Sequence, residues 1–386
     1  MPTYLSYPTR VVWGAGTIIK LGEEVRKAGG TKVLVVSDRG VIAAGLVRRV
    51  ENLLSEADLQ FSVFSDLQPN PVEADVWKGV EAYRALHADI IVAIGGGAPL
   101  DTARAIRLAV NHPKPLSRYD DAKGGDVNVT SELPPLICIA TTSGTGSEVS
   151  RSAVVKLDDT KRKTVLFSPR LIATCAIADP ELTLGLPPKP TAWTGMDAFT
   201  HCLEAYVALG DNPLADALAI DGIHRVTRAL PAVMDNPNDL AARADMMAAA
   251  IMGAMAFTKG LGAAHAIAHA VGAIVPGAHH GLVNAIVLPA VCRYNEEQAH
   301  PRFARIAEAM GEPCGSMDER KMADRACTRV EELCRRVGIP EKLSAAGVTA
   351  EMIPQLVELA LDDASHRTNP RPFTREDCEP MLRSLL

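Results

Sequence analysis

Three uninterrupted apolar runs constrain this chain more than any other feature. Residues 32–37 read KVLVVS, residues 89–94 read DIIVAI and residues 135–140 read PLICIA. Runs with no polar alternation suit strands covered on both faces, as in a parallel sheet. The segments between them, such as 45–56 and 74–86, carry helical spacing. Strands alternating with helices predict an α/β domain with a parallel sheet. Each run also ends in a polar or glycine-rich loop, and open α/β sheets bind their ligands at the carboxyl ends of their strands.

The pattern changes near residues 184–190, LGLPPKP, where dense prolines predict a hinge. Beyond it, helices are expected at 191–209, 212–233, 239–257 and 261–275, and again from about residue 300. The expected organisation is an α/β domain over 1–184 and an all-helical domain over 185–386.

The formal net charge of −6 argues against a phosphate backbone as partner, since that wants a basic face. None of the eight cysteines forms a C-x-x-C pair, and the opening MPTYLSYPTR has no apolar signal core. The apolar stretch 246–278 is interrupted by Lys259 and several histidines, which reads as buried helix rather than membrane span. The expectation is a cytoplasmic protein with reduced thiols, acting on small molecules, with neither nucleic acid nor membrane as partner.

Two loops carry anion-binding chemistry. Gly95-Gly96-Gly97-Ala98-Pro99 joins a strand to a helix. Glycines there let backbone amides approach a phosphate at the helix N-terminus. The loop is not the G-x-G-x-x-G of dinucleotide folds, so it reads as a pyrophosphate cradle or as a plain tight turn. Thr141-Thr142-Ser143-Gly144-Thr145-Gly146-Ser147-Glu148 follows the third run directly. Its small hydroxyls suit phosphate, ribose or nicotinamide amide contacts, or helix capping. Asp38 closes the first run, where a carboxylate can accept from both ribose hydroxyls of NAD and repel the extra phosphate of NADP. A helix cap is the equally good alternative.

The helical half holds two polar pairs at i,i+4 spacing in apolar surroundings: Asp197 with His201, and His265 with His269. Glu204 shares the face of the first pair. Buried carboxylates and imidazoles cost several kcal/mol unless paired or metal-bound. One divalent cation can satisfy them together, and one carboxylate with three imidazoles suits Fe(II) or Zn(II).

Residues 95–101, 141–148, 179–183, 195–206 and 265–289 together resemble the iron-containing (group III) alcohol dehydrogenase family, over nearly the whole chain. The resemblance implies a Rossmann-like, dehydroquinate synthase-like architecture, with an NAD domain, a helical metal domain and a site in the cleft between them. It implies metal ligands at Asp197, His201, His265 and a histidine preceding glycine. It places Asp38, Gly95, Gly96, Gly97, Asp101, Thr141, Thr142, Ser143, Thr145 and Lys163 along NAD, and makes His269 a proton relay or a substrate contact. It also implies a homodimer or larger assembly. Three departures stand out: Ala98 replaces a serine, Arg104 replaces a lysine, and the fourth-ligand motif reads Ala278-His279-His280-Gly281. Spacing from His269 fits His279; the glycine that follows fits His280, which the resemblance favours.

The implied reaction is hydride exchange between an alcohol carbon and nicotinamide C4, with the cation lowering the alcohol's pKa. The alternatives on the same scaffold are a glycerol-dehydrogenase-type polyol oxidoreductase, a maleylacetate-type reductase and a dehydroquinate-synthase-like lyase. A non-enzymatic NAD or metal sensor is a further one. Substrate contacts are expected from 150–152, Phe167 and 257–261, and Arg151 leaves room for a polar or charged substrate.

Overall fold

A computed structural model of the chain describes residues 9–160, 162–313 and 318–386. They form two compact units. Among the described residues, one unit takes in 9–142 and 146–185, and the other takes in 143–145 and those from 186 onward. Three residues of the hydroxyl-rich loop therefore cluster with the helical half, which the composition change near residue 184 does not reveal.

The first unit is built on a six-stranded sheet. In chain order its elements are β1 (Arg10–Trp13), α1 (Leu21–Lys27), β2 (Lys32–Val36), α2 (Arg39–Ala43), α3 (Leu46–Glu56), β3 (Gln60–Phe64), α4 (Glu73–Leu86), β4 (Ile90–Gly95), α5 (Gly97–Asn111), β5 (Leu136–Ala140), the hairpin strands β6 (Ser152–Lys156) and β7 (Lys163–Phe167), and β8 (Cys175–Ala178). The sheet runs β1-β8-β5-β4-β2-β3 with every pairing parallel. The three apolar runs are its buried central strands β2, β4 and β5. Their alternating side chains feed two separate cores, Leu34 and Ile91 on one face, Val33 and Ile90 on the other. After β2 the chain moves outward to β3, whereas after β4 it moves to β5 on the opposite side. The order reverses between β2 and β4, so the loops after them diverge and leave a crevice. The Ser37 hydroxyl donates to the Ile94 carbonyl at 2.9 Å across that point.

The second unit contains α6 (Pro188–Val207), α7 (Pro213–Asp235), α8 (Leu240–Ala256), α9 (Ala263–Ile274), α10 (His280–Ala309), α11 (Glu319–Arg336), α12 (Ile353–Asp362) and α13 (Arg375–Ser384). They share one apolar core. Helix α10 corrects the expectation that helices resume near residue 300. Pro289 and Pro301 lie inside it, and the chain kinks at Ala299. Its buried face, from Leu282 through Val291, outweighs the proline penalty. The segment Leu240–Lys259 is long and apolar enough to cross a membrane, but its Met247, Ala249 and Ala250 are buried against neighbouring helices. The seven described cysteines are free and buried; Cys314 lies outside the described residues.

Arg104 on α5 is fully buried and ties the first unit's loops together. It donates to the Leu171 carbonyl at 3.2 Å, the Ser147 hydroxyl at 3.0 Å, the Ser152 carbonyl at 2.9 Å and the Ser147 carbonyl. Asp101 lies 3.3 Å from it as counter-charge. A lysine carries its donors on a single nitrogen, whereas this fork reaches three residues at once.

Glu148 lies beside this network, 1% exposed, with Oε1 lacking a hydrogen-bond partner. Burial pushes its pKa up from 4.5 to about 7. Between those values the folded chain keeps a proton that the unfolded chain releases, so stability falls as pH rises through the window. Glu148→Gln removes that dependence. Thermal melts should show the variant more stable than the parent at pH 8, by about 1–3 kcal/mol, and equal to it at pH 4.

Candidate functional site

Helix α6 presents Asp197 and His201 one turn apart, and both are buried. Helix α9 brings in His265 in its first turn, also buried. Each of the three offers one ligand atom, and these atoms all lie within 4.8 Å of one another. The His201 and His265 rings stack with centroids 4.6 Å apart. Helix α10 adds His280 at its first position and Asn284 one turn later.

Glu204, three residues beyond His201, sets the orientation. Its carboxylate accepts from the amides of Gly262 at 3.1 Å and Ala264 at 2.8 Å, at the start of α9. The same carboxylate lies 2.6 Å from His265 Nδ1. A carboxylate already accepting two amides makes Nδ1 the protonated nitrogen of His265 and leaves Nε2 with a lone pair facing the site. The arrangement also sets negative charge against the helix N-terminus.

The adjacent histidines separate clearly. The His280 Nε2 lies 3.7 Å from Asp197 Oδ1, and its ring lies 5.4 Å from that of His265. The His279 ring packs against Trp193 at 5.0 Å instead, and His279 is the N-cap of α10. His269 stacks on His280, centroids 5.2 Å apart and planes within 14°. Its Nδ1 lies 2.9 Å from Asp363 Oδ2, and its side chain is 15% exposed.

The donor chemistry fits a cation. The Asn284 amide nitrogen is 2.8 Å from Asp197 Oδ1, 3.3 Å from His265 Nε2 and 3.1 Å from His280 Nε2. Three acceptors converge on two hydrogens, and the buried Asn284 Oδ1 has no partner. Two buried carboxylates, Asp197 and Glu204, add negative charge. Burial drives the His201 pKa down to about 4, so it is neutral near pH 7 as a ligand must be. Burial also pulls at His265, but the hydrogen bond and charge of Glu204, with Asp197 and Asp363, reverse this and raise its pKa. The same charges that draw a proton onto His265 draw a metal ion, so the two compete for its Nε2.

In the first unit, Gly95 adopts φ +152°, and a Cβ there would lie 2.6 Å from Pro99 Cγ. Gly96 faces Thr142, whose Oγ1 would be 3.3 Å from an added Cβ. Gly97 opens α5. The Thr141 amide donates to the Gly95 carbonyl at 2.9 Å, holding the two loops side by side. Asp38 sits at the end of β2 and caps α2, its Oδ1 accepting from the Val41 amide at 2.9 Å. Asp101 has protein partners on both oxygens: Ser147 Oγ at 2.7 Å and the Val154 amide at 3.1 Å. Its role is to fasten the 141–148 loop and β6 to α5. Lys163, on β7, acts electrostatically on Asp101. Ser143 and Thr145 cluster with the helical unit, where Gly144 rests so closely on Thr194 that a Cβ would lie 2.7 Å from it. Arg151 lays its guanidinium over the Phe167 ring at 5.6 Å.

Three contributors carry no assigned role in the sequence reading. Glu204 was visible as a neighbour on the His201 face, and Asn284 stands four residues beyond His280. Asp363 has no local signal at all.

The family of iron-containing alcohol dehydrogenases matches residues 8–180, and that family's C-terminal domain matches residues 191–386. The chain is 39% identical to a 4-hydroxybutyrate dehydrogenase of Cupriavidus necator, over 98% of both chains. It is 37% identical to a 1,3-propanediol dehydrogenase of Citrobacter freundii, over 96% of this chain and 95% of that one. Among solved structures, a 1,3-propanediol oxidoreductase superimposes with a TM-score of 0.95 at 35% identity, covering all of both chains. The chain belongs to the iron-containing alcohol dehydrogenase family. It is an oxidoreductase of that family, an alcohol dehydrogenase working with a nicotinamide cofactor and a metal.

Gly281 lets α10 approach α6 at this site. A Cβ there would lie 2.3 Å from the Trp193 carbonyl oxygen and 3.1 Å from Asp197 Cβ. Gly281→Ala should therefore cost about 1–3 kcal/mol of stability in a urea melt.

Proposed function

We propose that this enzyme interconverts a short alcohol and its aldehyde using NAD, with Fe(II) held by Asp197, His201, His265 and His280. The observation that carries the reading is the buried convergence of Asp197, His201 and His265 ligand atoms within 4.8 Å, with the His265 tautomer set by Glu204. Zn(II) suits the same donors. When bound, the cation supplies Lewis acidity toward the substrate oxygen, and the nicotinamide accepts or returns hydride.

The chain's own residues do the rest. Glu204 holds His265 by Nδ1 and so aims its Nε2. Asp363 holds His269 by Nδ1, leaving its Nε2 to take the alcohol's proton and pass it to solvent. The amides around Gly95, Gly96 and Gly97 receive the pyrophosphate, and Thr141, Thr142 and Lys163 line the remaining cofactor. Asp38 reads the ribose. The relatives named for 4-hydroxybutyrate and 1,3-propanediol support a short substrate with a second polar group at its far end. Buried free thiols support a cytoplasmic setting. The edge strand β1, with Trp13 47% exposed, supports a homodimer or larger assembly.

His265→Ala should lose bound metal and NAD-linked oxidation together, by metal analysis and NADH absorbance on one preparation. Undiminished turnover without metal would overturn the reading. Glu204→Gln should weaken metal binding about 10–100-fold with the ligands intact, measured by competition with a chelator. Asp38→Ser keeps a helix-capping oxygen but removes the charge. Its kcat/KM ratio for NADP over NAD should rise about tenfold or more.

A further inference from the structure

Three arginines are buried among the described residues: Arg104, Arg107 and Arg243. Arg104 has Asp101 and a ring of acceptors. Arg107 donates to the carbonyls of Pro134 at 2.5 Å and Ile172 at 2.8 Å. Arg243, on α8, is different. It is 3% exposed and meets only the Pro237 carbonyl at 3.0 Å and the Thr191 hydroxyl at 3.3 Å. Its Nη2 is buried with no partner. Burial alone acts on its pKa, lowering it, with no carboxylate acting in the other direction.

Arg243 lines a small cavity in the helical unit, with Ser143, Thr191, Thr194 and four apolar side chains. The Ser143 Oγ is likewise buried and unpartnered, in a residue 7% exposed. The two threonine hydroxyls are spent on main-chain carbonyls of Leu186 and Pro190. Two unused donors, a guanidinium nitrogen and a hydroxyl, therefore border one cavity. Thr191 stands in the first turns of α6, so the positive end of that helix borders it too. The accessible interior is about 10 Å³, close to one water-sized species. An isolated buried charge costs several kcal/mol. A water satisfies the hydrogen bonds and leaves that charge unbalanced, whereas a small anion satisfies both.

We propose that this cavity is a halide site, filled by chloride bound to Arg243 Nη2 and Ser143 Oγ. Phosphate and sulfate are too large for it. The occupant pins Ser143 of the hydroxyl-rich loop to α8, and Gly144 next to it rests on Thr194, one turn before Asp197. Chloride then acts as a structural ion that fixes this loop against the metal-bearing helix.

Crystals of the full chain soaked in sodium bromide, measured at the bromine edge, give the direct test. An anomalous peak between Arg243 Nη2 and Ser143 Oγ is expected. In solution, raising chloride from about 1 mM to about 100 mM at fixed ionic strength, with gluconate as replacement, should lift the Tm by roughly 2 °C or more. Arg243→Met should abolish that lift. A water at the site with no bromide signal, or a Tm indifferent to chloride in the parent protein, overturns the proposal. The bromide result stands even where the variant fails to fold.

Discussion

The Glu204 carboxylate is the interaction on which the helical half depends. It stands on α6, yet its oxygens accept the Gly262 and Ala264 amides at the start of α9 and the proton of His265. One side chain thus caps a helix, docks it and fixes a tautomer. The space for it is narrow, since a Cβ on Gly262 would lie 2.7 Å from Glu204 Oε1. A ligand histidine needs its second nitrogen held if its first is to point reliably. Here the holding group is spaced three residues from His201, so the helix that supplies Asp197 and His201 also supplies the side chain that aims His265.

The α/β unit solves a similar problem with the opposite charge. Arg104 holds its loops by donating to three carbonyls and a hydroxyl, on Ser147, Ser152 and Leu171. Asp101 both neutralises Arg104 and accepts from Ser147 and Val154. The glycine loop after β4 and the hydroxyl loop after β5 are thereby fixed side by side at the reversal of strand order. Loops fixed in advance give up little entropy when a ligand arrives.

What was legible in the chain follows from the range of the interactions involved. Strands β2, β4 and β5 were readable because burial on both faces demands unbroken apolar sequence. The pairs Asp197–His201 and His265–His269 were readable because i,i+4 spacing is a local property of a helix. The hairpin β6–β7 was passed over, since half-buried strands of five residues leave a weak pattern. Helix α10 was hidden by prolines that tertiary packing tolerates. Asn284 and Asp363 reach their partners across 87 and 94 residues, so their roles exist only once helices are docked. His279 and His280 differ by the phase of α10: one residue caps the helix and the next begins it, with its Nε2 3.7 Å from Asp197 Oδ1.

Buried polar atoms without partners are rare in folded proteins, and each asks for a reason. In this chain they sort by how the deficit is met. Glu148 meets it internally, by taking up a proton and becoming neutral. Around Asn284, three acceptors share two amide hydrogens and Oδ1 has no partner, a deficit that a bound cation meets. Arg243 cannot meet its own internally, since a guanidinium does not give up its proton near neutral pH. The first kind of group makes stability depend on pH. The other two make the fold depend on what the solution supplies, a cation on one face of α6 and an anion near its first turn.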